Sequence, residues 1–256
     1  MSEPVIHTRI WDETPDPRSP FLGRSVRLYG YDYYGELLGQ ARWIDMLWLL
    51  LTGDAPTADQ AALLERLAVA LANPGPRDPS VHAAMCGGIG GSRPAASLMA
   101  ALAVASGDHG GAGELRRAMQ AWQHGADTAS TLAGALADLA DEGGIWPGFS
   151  PLTRDTARPV LQCLEILCAS PLANCLVTLR EAHTGLSATA GLGLSLLGVA
   201  AATCVDLDLS PEQGEALFLL LRLPGTLAHA LEQSGKSHKQ FPFFTLSERY
   251  EPEAAR

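Results

Sequence analysis

The chain has 256 residues, 47% of them apolar, and a formal net charge of −10. That is enough material for one large domain or two small ones with an ample core, so a disordered chain is excluded. No Lys/Arg run interrupts the acidic balance, which argues against nucleic acid and anionic membrane surfaces as general partners.

Residues 1–24 hold Pro4, Pro15, Pro17 and Pro20 with little periodicity and read as an extended arm on the body. Val26 to Tyr29 reads as a short strand, and Ala41 to Thr52 has apolar residues at helical spacing before Gly53-Asp54-Ala55-Pro56. Thr57 with Gln60 has the form of a capping box, opening a helix to about Ala72 that Asn73-Pro74-Gly75-Pro76 ends. Pro79 to Cys86 and Pro94 to Ala105 read as two helices split by Gly87-Gly88-Ile89-Gly90-Gly91. That glycine cluster is not a dinucleotide fingerprint, because Arg93 stands where the third glycine belongs and no strand precedes it. Glu114 to Gln123, Thr128 to Ala140, Thr156 to Cys168, Ala173 to Ala182 and Gly191 to Cys204 follow as helices. Ser210 caps a last long segment with Pro211 at its first position, running to about Arg222; Pro224 marks a kink or a new start. The expected class is all-α.

The five cysteines are odd in number, form no CxxC pair and sit in apolar surroundings, so they read as buried free thiols in a reducing compartment. The N-terminus lacks a basic region followed by an apolar run, so no signal peptide is expected, and no apolar run is long enough for a bilayer. A soluble cytoplasmic protein is the expectation. The seven histidines show no HExxH or other compact ligand spacing, so no metal site is expected; a GxSxG elbow and a P-loop are also lacking.

The chemistry concentrates in Gly107-Asp108-His109-Gly110-Gly111-Ala112-Gly113-Glu114. Four glycines in eight residues let ligand and backbone approach one imidazole closely and leave amides to point at an anion. The residues alone leave two readings open: a ligand-facing imidazole that donates to a carbonyl or enolate, or a Gly-rich turn with an incidental histidine. Arg222, on an otherwise apolar helix, needs an anionic partner, either a substrate carboxylate or an internal Asp/Glu. His229 by itself reads as a packed, hydrogen-bonded helix histidine.

The ordered motifs resemble those of the citrate synthase superfamily, nearest its short members of the citryl-CoA lyase type. Arg27-Leu28-Tyr29-Gly30-Tyr31-Asp32 is similar to the family's "RGYD", Trp48 to Thr57 to its "LLL.GELPT" and Asp108 to Ala112 to its "HGGA". Trp146-Pro147-Gly148-Phe149 resembles the start of "PGFGH", and Arg222 to Glu232 resembles "R.PG..AH..E". The likeness runs from about residue 25 to 250, loosely over Lys236 to Tyr250. It implies a large helical domain, 1–113 plus 210–256, with a smaller one, 114–209, inserted, and a dimer to which Pro94–Ala105 or Ala41–Leu51 contributes. It also implies that His109 stabilises the enol of a thioester, and that Gly110, Gly111, Arg158, Arg222 and His229 bind substrate. No permanent cofactor is implied; a coenzyme A thioester and a keto or tricarboxylic acid are the implied small molecules.

Three departures stand against this. The family's second histidine is missing, because the chain reads Pro147-Gly148-Phe149-Ser150-Pro151. Leu197, in Ser195-Leu196-Leu197-Gly198, replaces the catalytic aspartate, and Arg77-Asp78-Pro79-Ser80 lacks the upstream histidine of "DHG..PS". Leucine accepts no proton, so abstraction beside a thioester lacks its base unless Asp155, His183 or Asp206 takes over. Three readings therefore stay open: a family synthase or lyase, a non-catalytic homologue in a homodimer or in a hetero-oligomer with a complete paralogue, and an enzyme with a relocated base.

Overall fold

The computed structural model describes residues 8–125 and 129–240; the expectations for 1–7, for Thr128 and for the tail beyond 240 lie outside them. Helices dominate, as the periodicity predicts. Two compact units are formed, one from the described parts of 1–72 and 106–222, the other from 73–105 and 223 onward. That division follows packing. The expected domains, 1–113 with 210–256 and 114–209, concern a hinge and belong with the proposal below.

The first unit begins with a hairpin, β1 (Trp11–Asp16) and β2 (Ser19–Leu28), extended by the short β3 (Tyr31–Asp32). This differs from the expected extended arm. Asp16 pairs with Ser19 across a two-residue Pro17-Arg18 turn, where proline sets the turn's φ, and Pro15 falls where the register shifts. The prolines therefore shape the hairpin. It is exposed on most of its surface and anchored by buried Leu28 and by an edge contact of Trp11 on Tyr33. A π-helical turn, Tyr33–Leu37, runs into the single turn α1 (Leu38–Gln40).

Helices α2 (Trp43–Thr52) and α3 (Ala58–Leu71) follow. The capping box is present: Thr57 Oγ1 accepts from the Gln60 amide at 3.2 Å and Gln60 Oε1 accepts from the Thr57 amide at 2.9 Å. After the second unit's segment come α6 (Ala112–Gly125), α7 (Ala129–Asp138), β4 (Phe149–Ser150), α8 (Arg158–Leu167), α9 (Cys175–Ala190), β5 (Gly193–Leu194) and α10 (Leu196–Asp206). Helix α10 is the axis of this unit. Val199 to Ala202 are fully buried, and their small side chains let α6 and α9 pack closely on it. Leu64 and Leu67 of α3, Leu115 and Met119 of α6, Leu164 of α8 and Leu217 of the last helix close the core. Each such side chain contributes about 1.5–3 kcal/mol.

The second unit holds α4 (Pro79–Ile89), α5 (Pro94–Ala105) and the C-terminal half of α11 (Pro211–Ser234). Helix α4 runs straight through Gly87 and Gly88, where the sequence predicts a break. The reason is close approach: a Cβ on Gly88 would stand 3.0 Å from the Ala230 carbonyl carbon, and one on Gly87 3.1 Å from Ser97 Cβ. Helix α11 is likewise continuous through Pro224, and its start carries a second capping box, Ser210 with Gln213.

Candidate functional site

His109 sits in the bend before α6, where Gly110 turns the chain at φ +69°. In the first turn of α6 stands Glu114, a carboxylate favoured by the helix N-terminus and only 7% exposed. Its Oε2 accepts from the Gly110 amide at 2.5 Å and its Oε1 from the Gly148 amide at 2.9 Å. One buried side chain thus ties the histidine bend to the turn at 147–150. Gly148, at φ +89°, lies so close to the start of α10 that a Cβ there would stand 2.8 Å from Gly198 Cα. Its carbonyl accepts from Ser195 N at 3.0 Å and Ser195 Oγ at 2.9 Å, and β4 pairs with β5 beside it.

Three of the motif segments therefore converge: 108–112, 147–150 and 195–198. What they present differs from what the resemblance implies. Leu197 is packed into the core at 8% exposure, and Ser150 and Pro151 offer no imidazole. The Gly110 amide, counted on for an anion, is already taken by Glu114.

The His109 ring is 74% exposed, with Nδ1 3.2 Å from Oδ2 of Asp141. The other oxygen, Oδ1, accepts from the Gly143 and Ile145 amides, each at 2.9 Å. These donors, Ile145 foremost, hold the Asp141 carboxyl below the usual range, with lesser help from His109 and Arg117. Arg117 braces the bend: its guanidinium donates to the Asp108 carbonyl through Nη2 and to the Leu139 carbonyl at 3.3 Å through Nη1. Asp108, His109, Arg117, Asp141, Glu142 and Gly143 line an open depression of about 560 Å³. Three carboxylates (Asp108, Asp141, Glu142) face one guanidinium, so its field favours an uncharged group over an anion.

The relocated-base candidates separate. Asp206 accepts from the amides of Asn174, Cys175 and Leu176 at 3.1, 2.7 and 3.0 Å, closing the N-terminus of α9. Burial raises its pKa against those donors. Asp155 and His183 line a different cavity, of about 510 Å³, with Arg154, Thr184 and Ser187. Arg158 is exposed at the first position of α8, outside both linings. Arg222 is buried on α11 with its guanidinium carbon 4.6 Å from the Phe218 ring centroid. His229 belongs to the second unit, where Nε2 lies 3.1 Å from Asn73 Oδ1 and Nδ1 lies 3.9 Å from Glu232. The cysteines are free; burial pushes the Cys175 and Cys204 thiols up to about 12, which suits packing and not nucleophilic work. Among the described residues no group of three His, Cys, Asp or Glu is gathered for a metal, and no helix is long and apolar enough to cross a membrane.

Sequence reasoning missed Glu114, Asp141 and Arg117. Glu114 had a signal, standing within the glycine stretch itself. Asp141, 32 residues from His109, had none.

The arrangement of helices is the all-α citrate synthase-like fold. It is shared with citryl-CoA lyase from Hydrogenobacter thermophilus, at 19% identity and a TM-score of 0.73 over 98% of both chains. ATP citrate lyase from Methanothrix soehngenii, solved with citrate and coenzyme A, matches at 19% identity and a TM-score of 0.74, over 100% of this chain and 44% of that one. Citrate synthase from Thermotoga maritima matches at 14% and 0.64, over 83% of this chain and 58% of that one. The chain thus spans less than half of the ATP citrate lyase chain. No protein-family model and no curated protein matches it.

Proposed function

We propose that the chain is a member of the citrate synthase superfamily that binds the neutral acyl end of a coenzyme A thioester at the His109 bend, takes a keto or tricarboxylic acid as its second small molecule, and has lost efficient C–C bond making and breaking. The observation that carries this is the convergence of 108–112, 147–150 and 195–198 through buried Glu114, with His109 in the first of these segments and Leu197 buried in the core. A general acid or base typically contributes about 10²–10⁴-fold, and groups that act as a unit do not add, so losing the pair slows turnover by at least about that factor. The surplus of carboxylates in the depression favours the neutral acyl end of the thioester there. The ligands of the Methanothrix soehngenii structure, citrate and coenzyme A, support the ligand class. Closure of 114–209 over the rest of the chain belongs to this reading.

A second reading, service as a partner subunit in a homodimer or in a hetero-oligomer with a complete paralogue, is favoured by one surface. Helix α5 is almost wholly apolar yet buries only Ser97, Ala101 and Ala105, leaving Met99 67% and Val104 43% exposed. Calorimetric titration with acetyl-CoA and with citrate tests the binding reading. Saturable acetyl-CoA binding, weakened about tenfold or more in His109→Ala, is expected; heat-silent titrations with both ligands would refute it.

A further inference from the structure

His109 and Asp141 are joined in a way the resemblance does not supply. Oδ1 of Asp141 is pinned by two backbone amides inside the tight turn 141–145, so the carboxylate cannot rotate. That fixes Oδ2 toward Nδ1 of His109, 3.2 Å away, across 32 residues of chain. A carboxylate only accepts, so the neutral ring meets it with a proton on Nδ1 and a lone pair on Nε2. The ring is largely exposed and lines the depression, and its Nδ1 is the nitrogen engaged with Asp141.

We infer that Asp141 is a positioning residue that holds His109 in the Nδ1–H tautomer, so that the imidazole meets its ligand as a hydrogen-bond acceptor. This rests on the reading that His109 faces the ligand, and it narrows the chemistry. A neutral Nε2 takes a hydrogen bond from a hydroxyl, a thiol or water, and gives none to an enolate oxygen. The group that His109 contacts is therefore a donor, such as an amide N–H or a hydroxyl on the arm of the coenzyme, or the thiol of free coenzyme A. An enol-stabilising role, which needs a donor at that atom, is closed to the neutral ring.

The pinned oxygen makes the test sharp. In Asp141→Asn the carbonyl oxygen keeps the two amide donors of Gly143 and Ile145. The carboxamide nitrogen then occupies the place of Oδ2 and donates to Nδ1, forcing the proton to Nε2. Nitrogen-15 NMR of the ring in the full chain, above the pH at which the ring loses its charge, reads the tautomer directly. Wild type is expected to show Nδ1–H, Asp141→Asn to invert to Nε2–H, and Glu142→Gln, which changes the same depression, to keep the wild-type pattern. Asp141→Ala, with no acceptor at all, is expected to relax toward Nε2–H as well. Nε2–H in wild type, or Nδ1–H persisting in either Asp141 variant, would overturn the inference. If the tautomers behave as expected and neither coenzyme A nor citrate moves the ring signals, the positioning stands and the binding reading above fails instead.

Discussion

Glu114→Ala removes the strap between the histidine bend and the 147–150 turn. The two amides it leaves are not equivalent. Gly148 is buried, so its N–H stays unsatisfied at about 1–3 kcal/mol. Gly110 is exposed, so water replaces the lost acceptor and only the net value of a charge-assisted bond disappears, about 1.5 kcal/mol at the low end for such a bond. Together these give about 3 kcal/mol. Glu114→Gln keeps one acceptor and turns an NH₂ toward the other amide, so it is expected to cost about half to all of that. Native-state hydrogen exchange is the assay, read at the Gly148 amide. A loss of about 3 kcal/mol corresponds to a protection factor lower by roughly 10²-fold. Protection at Gly148 within threefold of wild type in Glu114→Ala would refute the strap.

Two further outcomes follow from single groups. Gly148→Ala meets both a positive φ and a Cβ 2.8 Å from Gly198 Cα, and is expected to lower stability to urea by more than about 2 kcal/mol; Gly110→Ala, at φ +69° with open space, should cost only about 1 kcal/mol. Asp206 has a folded pKa above its unfolded one, so over that interval the folded state holds more protons and stability falls as pH rises. The difference in urea midpoint between wild type and Asp206→Asn should therefore shift in favour of wild type as pH drops through the upper carboxylate range, and a flat difference would contradict the buried setting of this carboxyl.

Much of the fold was legible because its signals are local. Thr57 with Gln60 and Ser210 with Gln213 mark helix starts within three residues, and the apolar spacing of α3 and α6 declares their buried faces. The failures come from residues whose meaning depends on distant partners. Gly87 and Gly88 read as a break, but they are helix positions emptied so that Ser97 and Ala230 can approach. Pro15 and Pro17 read as an irregular arm, but they occupy the bulge and the turn of a hairpin. The site divides the same way. His109 announced itself by its own glycines. The link from Glu114 to Gly148 spans 34 residues, and Asp141 lies in a loop without period, so neither contact leaves a trace in local spacing.

The central claim is that the family's segments meet here without the family's proton-moving pair. Thiol release from acetyl-CoA in the presence of oxaloacetate measures this most directly, with His109→Ala as the reference. The account predicts that wild type releases thiol no faster than the variant. Sustained turnover by wild type that the variant loses would contradict it.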